Sequence, residues 1–492
     1  MTSHHTHGAT ASRTPASRPT TVEVNGVNQI PEEERKGKPR DLFWPWFAAN
    51  VSVFAISYGS FILGFGLSIA QAIAVSVIGL IASYLLVGYI AIAGKRGSAP
   101  TLTISRSAFG IRGNRLPATL SWLLTLGWET ALAALAVLAT NTVIERLGFT
   151  GVATKIVALL VVVGLIVLGG LLGFDLIMRM QRWITWIAGL LTLAYIAVAA
   201  GSINVAGLAA LPAGEAPAVV GATLFVMTGF GLGWVNAAAD YSRYLPRTAS
   251  SRAVLGWTTF GCALGPVVLV VFGLLLAGSS EQLSTAVSAD PVGALTTILP
   301  TWLLIPFVVV TVLGLVGGAI MDIYSSGLSL LNVGLRVPRA VAVGIDATLM
   351  VLGAVYIVFV ANDFLVPFQG FLITLGVPVA AWAGVFIADI TLRRRDYSET
   401  DLFTTNGRYG DVRWLPVGLV LLAAVLGWGL VTNTAAPWLG WQGYLLGPLG
   451  LGGREGAWAY ANIGVIVALL LGFFGYLIFG RSLVRAQESV ES

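Results

Sequence analysis

Charge is what this sequence has least of. Only 10% of its 492 residues are Asp, Glu, Lys or Arg, where an ordinary soluble domain carries about 25%. A chain this long with so few charges cannot cover a water-facing surface, so its outer surface faces something apolar, and lipid is the medium that fits. Cysteine is almost absent: Cys262 stands alone inside an apolar run, which excludes an intrachain disulfide and any need for an oxidising compartment. The three histidines, His4, His5 and His7, all sit near the start. No His/Cys cluster is therefore available at depth, which argues against a metal site, a cofactor and a membrane-embedded enzyme. The first forty residues, rich in Ser, Thr and Pro, hold no apolar core of a cleavable signal and read as a disordered tail. Metal capture by its histidines is the weaker alternative.

What the sequence has in abundance is long apolar runs. Residues of the AVILMFWYC set make up 56% of the chain. Runs of the roughly 20 apolar residues that a spanning helix needs fall near 42–69, 70–94, 116–144, 156–174, 183–203, 217–239, 253–278, 302–333, 340–361, 364–391, 414–432 and 457–480. None alternates with period two, which excludes a β-barrel, and backbone in lipid must bond to itself, so each run is expected to be a helix. The sequence thus reads as an all-α integral membrane protein of about twelve spans: a tail over 1–40, a membrane domain over 41–480 and a C-terminal tail over 481–492. Basic residues supply the orientation. Of the 28 Lys and Arg residues, all but Arg146, Lys155 and Arg454 fall in the tails and alternate loops of one side, expected to be cytoplasmic together with both termini, as in a plasma (inner) membrane protein. This bias also explains the net charge of +5 without invoking nucleic acid. Trp44, Trp46, Trp302, Trp438 and Trp441 fall near predicted interfaces, as an aromatic belt would.

Functional residues are expected where the apolar pattern breaks at membrane depth. The first span crowds Asn50, Ser52, Ser57, Tyr58, Gly59, Ser60, Gly64 and Gly66 into one helix; such residues either let a helix unwind around a ligand or let helices pack closely. The third span carries Trp128 and Glu129 near its middle. An unpaired carboxylate there costs several kcal/mol, so Glu129 either borders a wet cavity or bonds a neighbouring helix, while Trp128 offers a flat face to an aromatic solute. In the sixth span Phe230 and Trp234, four residues apart on one face, are flanked by Gly229, Gly231 and Gly233, with Asn236 and Asp240 beyond. The eighth span is interrupted by Asp322, Tyr324, Ser325 and Ser326. Asp346 and Asp389 are shallower and are expected to pair with Arg; Asp240 is expected to cap a helix or pair with Arg243. The stretch 96–115 is too short to span and reads as a re-entrant or surface loop.

Together these motifs resemble the purine–cytosine permease family of nucleobase cation symporters over roughly residues 40–480. The resemblance rests on GFGLGWVNAAADYSRYLP at 229–246, GWE at 127–129, ISRSAFG at 104–110, DIYSSGL at 322–328 and the stretch from Phe371 to Tyr397. It implies a LeuT-like fold of two inverted five-helix repeats plus two helices, with a midplane substrate site between the first, third, sixth and eighth spans. The implied substrate-binding residues are Asn50, Ser52, Trp128, Glu129, Phe230, Trp234 and Asp322. The implied activity is secondary symport of a nucleobase such as cytosine or a purine; allantoin, hydantoin, a pyridine-type vitamin or a nucleoside are the alternatives. Sodium-coupled relatives carry hydroxyl side chains where this chain has Gly317 and Gly318. A hard cation wants oxygen ligands, so the expected coupling ion is a proton, carried by Glu129 or Asp322, ahead of sodium.

Overall fold

The structure, a computed structural model, describes residues 26–361 and 365–489; the three histidines, Arg13 and Arg18 lie outside them. Among the described residues every regular element is helical. The first run is two helices, α1 (Phe43–Asn50) and α2 (Phe54–Leu63), followed by α3 (Ile69–Gly97), the short α4 (Thr101–Phe109), α5 (Arg115–Arg146), α6 (Val152–Leu172) and α7 (Phe174–Ala199). After the small α8 (Val205–Ala209), the sixth run is divided into α9 (Ala216–Gly229), α10 (Gly231–Trp234) and α11 (Ala238–Ser242). Then come α12 (Ser251–Ala277), the short α13 (Glu281–Ala289), α14 (Leu304–Val333), α15 (Arg339–Phe359), α16 (Leu365–Leu392), α17 (Trp414–Trp428), α18 (Gly464–Phe479) and α19 (Arg481–Ser489). Among the described residues nine helices are long and apolar enough to cross a membrane singly, and two bent pairs raise this to eleven. With the 15-residue α17 each of the twelve expected runs has its helix.

The break in the first span has a local cause. The Asn50 side chain turns back to donate to the Trp46 carbonyl at 2.8 Å. Val51 then leaves helical geometry at φ −81, ψ 62, and Ser52 Oγ accepts from the Phe54 amide at 3.3 Å as α2 begins. Asn and Ser side chains that bond local backbone compete with the helix in this way. The two halves meet at 65°. The glycines of the same span do something else: a Cβ on Gly59 would sit 2.1 Å from the Gly273 backbone, so Gly59 serves close packing of α2 on α12.

The broken spans open two sets of five, and a short helix follows the second span of each: α4 in one, α13 in the other. Because spans alternate in direction, α4 and α13 lie on opposite faces. Each docks on a broken span. Thr101, at the start of α4, donates its amide and hydroxyl to Asp240 on α11, both at 2.8 Å. Ser284 of α13 meets Ser60 of α2 at 2.6 Å, and Ser57 bonds the Pro291 carbonyl. This reciprocal docking is the inverted repeat in physical form. It corrects the surface-loop expectation for 96–115, because all of α4 is buried. Outside the two sets, α17 and α18 pack against α16.

The outer surface is greasy: Leu160, Leu190 and Ile478 are among many exposed apolar side chains. Trp302, Trp438 and Trp441 are exposed as a belt requires, but Trp46 is fully buried and contacts Trp234 and Tyr241 edge-on at 5.5 and 5.3 Å, so it belongs to the interior. The described part of the N-terminal tail is docked: Ile30 is fully buried, its amide donates to Ser98 O at 2.8 Å, and Arg35 pairs with Glu399 at 3.2 Å. The C-terminal segment also packs, through Gln487, which accepts from Arg393 at 2.5 Å and donates to the Ser107 carbonyl at 3.1 Å.

Candidate substrate site

Both helix breaks face one another across a small cavity of about 50 Å³. It is lined by Ala49, Asn50, Ser52, Phe54, Ala55 and Tyr58 from α1–α2, Trp128 and Leu132 from α5, and Gly229, Phe230, Gly233 and Trp234 from α9–α10. Typical ligand pockets measure about 300–1,000 Å³, so the cavity in this conformation is far smaller than a ligand site. A larger cleft of about 340 Å³, lined by Glu32, Arg35, Arg247 and Glu399, is a solvated charge cluster on the basic face and shares no lining residue with the aromatic cavity.

The walls are aromatic. Tyr58 lies 4.5 Å from Phe230, and Phe368 of α16 stands edge-on to Trp128 at 5.1 Å and to Phe54 at 5.9 Å. Phe230 can line the cavity because its backbone, at φ −127 and ψ −96, is where α9 stops and α10 starts. Gly233 gives the Trp128 indole its place, since a Cβ there would come within 2.9 Å of Nε1. Polar groups are few and specific. Asn50 Oδ1 accepts from the Tyr84 hydroxyl at 2.6 Å, leaving one amide hydrogen and one lone pair unspent. Trp128 Nε1 is buried without a partner. None of the lining side chains is charged, so the cavity suits a neutral, flat molecule with hydrogen-bonding edges.

Five of the seven sequence-predicted binding residues line this cavity: Asn50, Ser52, Trp128, Phe230 and Trp234. Glu129 and Asp322 do not. Glu129 is fully buried and points to α14, where its Oε2 lies 3.3 Å from Ser326 Oγ. The residue step of about 100° on a helix turns it off the face that Trp128 presents to the cavity. Asp322 is 1% exposed and neither of its oxygens has a hydrogen-bond partner. Asp389 pairs as expected, with Arg393 at 2.7 Å. Asp346 does not pair with Arg: it accepts from Trp122 Nε1 at 2.6 Å and from Ser326 Oγ at 2.9 Å. Beside Gly317, the α7 residue Gln181 donates Nε2 to the Gly317 carbonyl at 2.8 Å, and its side chain occupies the space that a larger residue at 317 would claim. Sequence reasoning missed Phe54, Leu132, Tyr84 and Phe368 as residues of this neighbourhood; each belongs to an apolar run with nothing to mark it.

Two broken helices holding a neutral aromatic cavity inside an inverted five-helix repeat define a membrane transporter of the LeuT-like fold. Solved structures agree on the fold. Mhp1, a nucleobase-cation-symport-1 family transporter held closed with bromovinylhydantoin bound, superposes with a TM-score of 0.68 at 20% identity, over 94% of this chain and 99% of that one. A Na⁺-coupled sialic acid symporter gives 0.59 at 12% identity, over 91% of each chain. In sequence, the purine-cytosine permease FCY2 of Saccharomyces cerevisiae is 23% identical over 489 residues, 92% of this chain and 87% of that protein. YxlA of Bacillus subtilis, a candidate purine-cytosine permease, is 25% identical over 455 residues, 89% and 93% of the two chains. The chain belongs to the family of permeases for cytosine/purines, uracil, thiamine and allantoin, whose model matches residues 29–447.

Proposed function

We propose that the protein is a nucleobase symporter that imports a neutral planar base, cytosine or a purine, across the plasma (inner) membrane, with its basic face and both termini cytoplasmic. The observation that carries this reading is the uncharged aromatic cavity at the two helix breaks. Trp128 and Phe230 supply faces for a flat ring, and the unspent hydrogen-bonding capacity of Asn50 and the free Trp128 N–H supply partners for its polar edge. A site built to bond a polar edge rejects an analogue lacking it, because the site's own groups are then left unpaired. Hydantoin and allantoin rings share much of this chemistry and are the nearest alternative cargo.

The coupling ion on this reading is a proton. Glycines at 317 and 318 offer no hydroxyl ligand, and Gln181 fills the space beside Gly317, while the buried acid Glu129 directly follows the cavity residue Trp128 on α5 and Asp322 is buried on α14. Uptake of radiolabelled cytosine, adenine and hypoxanthine into proteoliposomes, with hydantoin and allantoin as competitors, tests the cargo. Saturable accumulation of one base is expected; no uptake of any base overturns the assignment. Accumulation should collapse when an uncoupler removes the proton gradient and should be indifferent to sodium. Accumulation that follows a sodium gradient instead overturns the coupling.

A further inference from the structure

One hydroxyl on α14 stands between two acids on different helices. Ser326 Oγ lies 3.3 Å from Glu129 Oε2 and 2.9 Å from Asp346 Oδ2, with the Ile323 carbonyl of its own helix also at 3.3 Å. A serine hydroxyl has one hydrogen to donate. If both carboxyls were ionised, all three neighbours would be acceptors and only one could be served. The second carboxyl contact is a hydrogen bond only when that carboxyl carries a proton and donates it to Oγ. The hydrogen-bond inventory therefore calls for one proton on the pair.

Among the described residues no cation pairs with either carboxyl, nor with Asp322. Glu129, Ser326 and Asp346 are each fully buried, and Glu129 Oε1 has no hydrogen-bond partner. The groups on the packed helices are these. Trp122 of α5 donates to Asp346 Oδ1. Asp322, one turn before Ser326 on α14, is a further buried acid. Arg339 of α15 donates to the Gly170 carbonyl at 2.6 Å and lies over the Tyr324 ring at 4.7 Å. The charges of α6 and α7 lie within the first nine residues of each helix, Lys155 on one and Asp175, Arg179 and Arg182 on the other. On α16 Asp389 is held by Arg393.

Resting on the proton-coupled reading above, we infer that Glu129 and Asp346 share one exchangeable proton through Ser326, which makes Asp346 the second carboxyl of the coupling site and Ser326 its bridge. In the transfer step, neutral Glu129 gives its hydrogen to Ser326 Oγ as Ser326 gives its own hydroxyl hydrogen to Asp346 Oδ2. Glu129 is left a carboxylate, Asp346 becomes the neutral acid, the serine is regenerated, and the charge of the triad stays at one negative. From Asp346 the proton passes to water when that side of the protein opens. Trp128 and Glu129 are consecutive on α5, so a base that displaces the indole bears on the Glu129–Ser326 contact, tying cavity occupancy to the proton.

Two measurements test this, one without any substrate. Infrared difference spectra of the reconstituted protein across pH steps should contain a protonated-carboxyl band that Glu129→Gln and Asp346→Asn each abolish or shift. Ser326→Ala should also shift it, Ser326→Thr should preserve it, and Asp322→Asn should leave it in place. A band unmoved by Ser326→Ala or by Asp346→Asn overturns the inference. In proteoliposomes with labelled cytosine, Ser326→Ala and Asp346→Asn should exchange cytosine across the membrane yet accumulate it at least tenfold less than wild type under a proton gradient, with Ser326→Thr restoring accumulation. Exchange proves those variants folded, and wild-type accumulation by Ser326→Ala sinks the relay. Failure of every form, wild type included, to move cytosine would count against the nucleobase reading, and the infrared result would still judge the shared proton.

Discussion

Asn50 and Ser52 act twice. Their side chains bond local backbone and so interrupt the first span, and the interruption is what brings both residues to the cavity wall. Across the cavity, Gly233 works by having no side chain: the Trp128 indole rests where a Cβ would intrude, at 2.9 Å from Nε1. Gly233→Ala is expected to push the indole aside and weaken base binding about tenfold, about 1.4 kcal/mol, read by isothermal titration or competition binding. An unchanged affinity would mean that Trp128 does not touch the ligand. At this scale the sequence was most readable where a residue type is rare in lipid. Glu129 and Asp322 stood out, yet their destinations did not, because the neighbouring helix that receives a side chain is invisible in a one-dimensional pattern. Asp346 was assigned an arginine that it lacks for the same reason.

Between elements, glycine sets the distances. A Cβ on Gly273 of α12 would lie 1.9 Å from the Ile56 carbonyl oxygen of α2, and one on Gly384 of α16 would lie 2.1 Å from the Leu469 carbonyl oxygen of α18. Helices in lipid gain no hydrophobic drive toward each other, so backbone approach of this kind supplies the packing. Gly273→Ala should force α2 and α12 apart at an overpacking cost of about 1–3 kcal/mol. That should show as a lower apparent Tm in detergent than for Gly256→Ala, whose Cβ meets nothing within 4 Å. Equal melting of the two variants would remove the close-packing role. The glycine-rich first span therefore combines two functions that its sequence presents as one: unwinding at residues 51–53 and tight packing at Gly59.

For the whole molecule, the basic face is drawn shut around Glu399, which accepts from Arg35 of the N-terminal segment and from Arg247 after α11. Deeper in, Arg243 donates to the Tyr324 hydroxyl at 2.7 Å and to the Gly26 carbonyl at 2.8 Å, and Tyr241 donates to the Met321 carbonyl at 2.9 Å. On the proposed symport reading these contacts part when the basic side opens. The Glu399 side chain is 40% exposed, and exposed pairs contribute about 0–1 kcal/mol each, so the clasp is a bias and not a lock. Glu399→Gln should raise by a few-fold the alkylation rate of a reporter introduced by Ser325→Cys, a position buried in this conformation. The native Cys262 is fully buried, which keeps the background low. A rate unchanged by Glu399→Gln would show that the clasp does not govern opening on this side.

The sequence alone determined the medium, the helical state and the number of spans, because burial in lipid leaves the backbone no other way to satisfy itself and because charge scarcity is a property of composition. It also marked the first, third, sixth and eighth spans as irregular; the helix breaks only in the first and sixth, where Asn, Ser and Gly act on the chain immediately around them, while the third and eighth run unbroken as α5 and α14. Tertiary structure decided which way each buried side chain faces: Trp128 toward the cavity, Glu129 one step on toward Ser326, Trp46 inward and not into an interfacial belt. Those choices depend on which helix stands opposite, and helices brought together from residues 115–146, 304–333 and 339–359 leave no joint signature in a linear pattern.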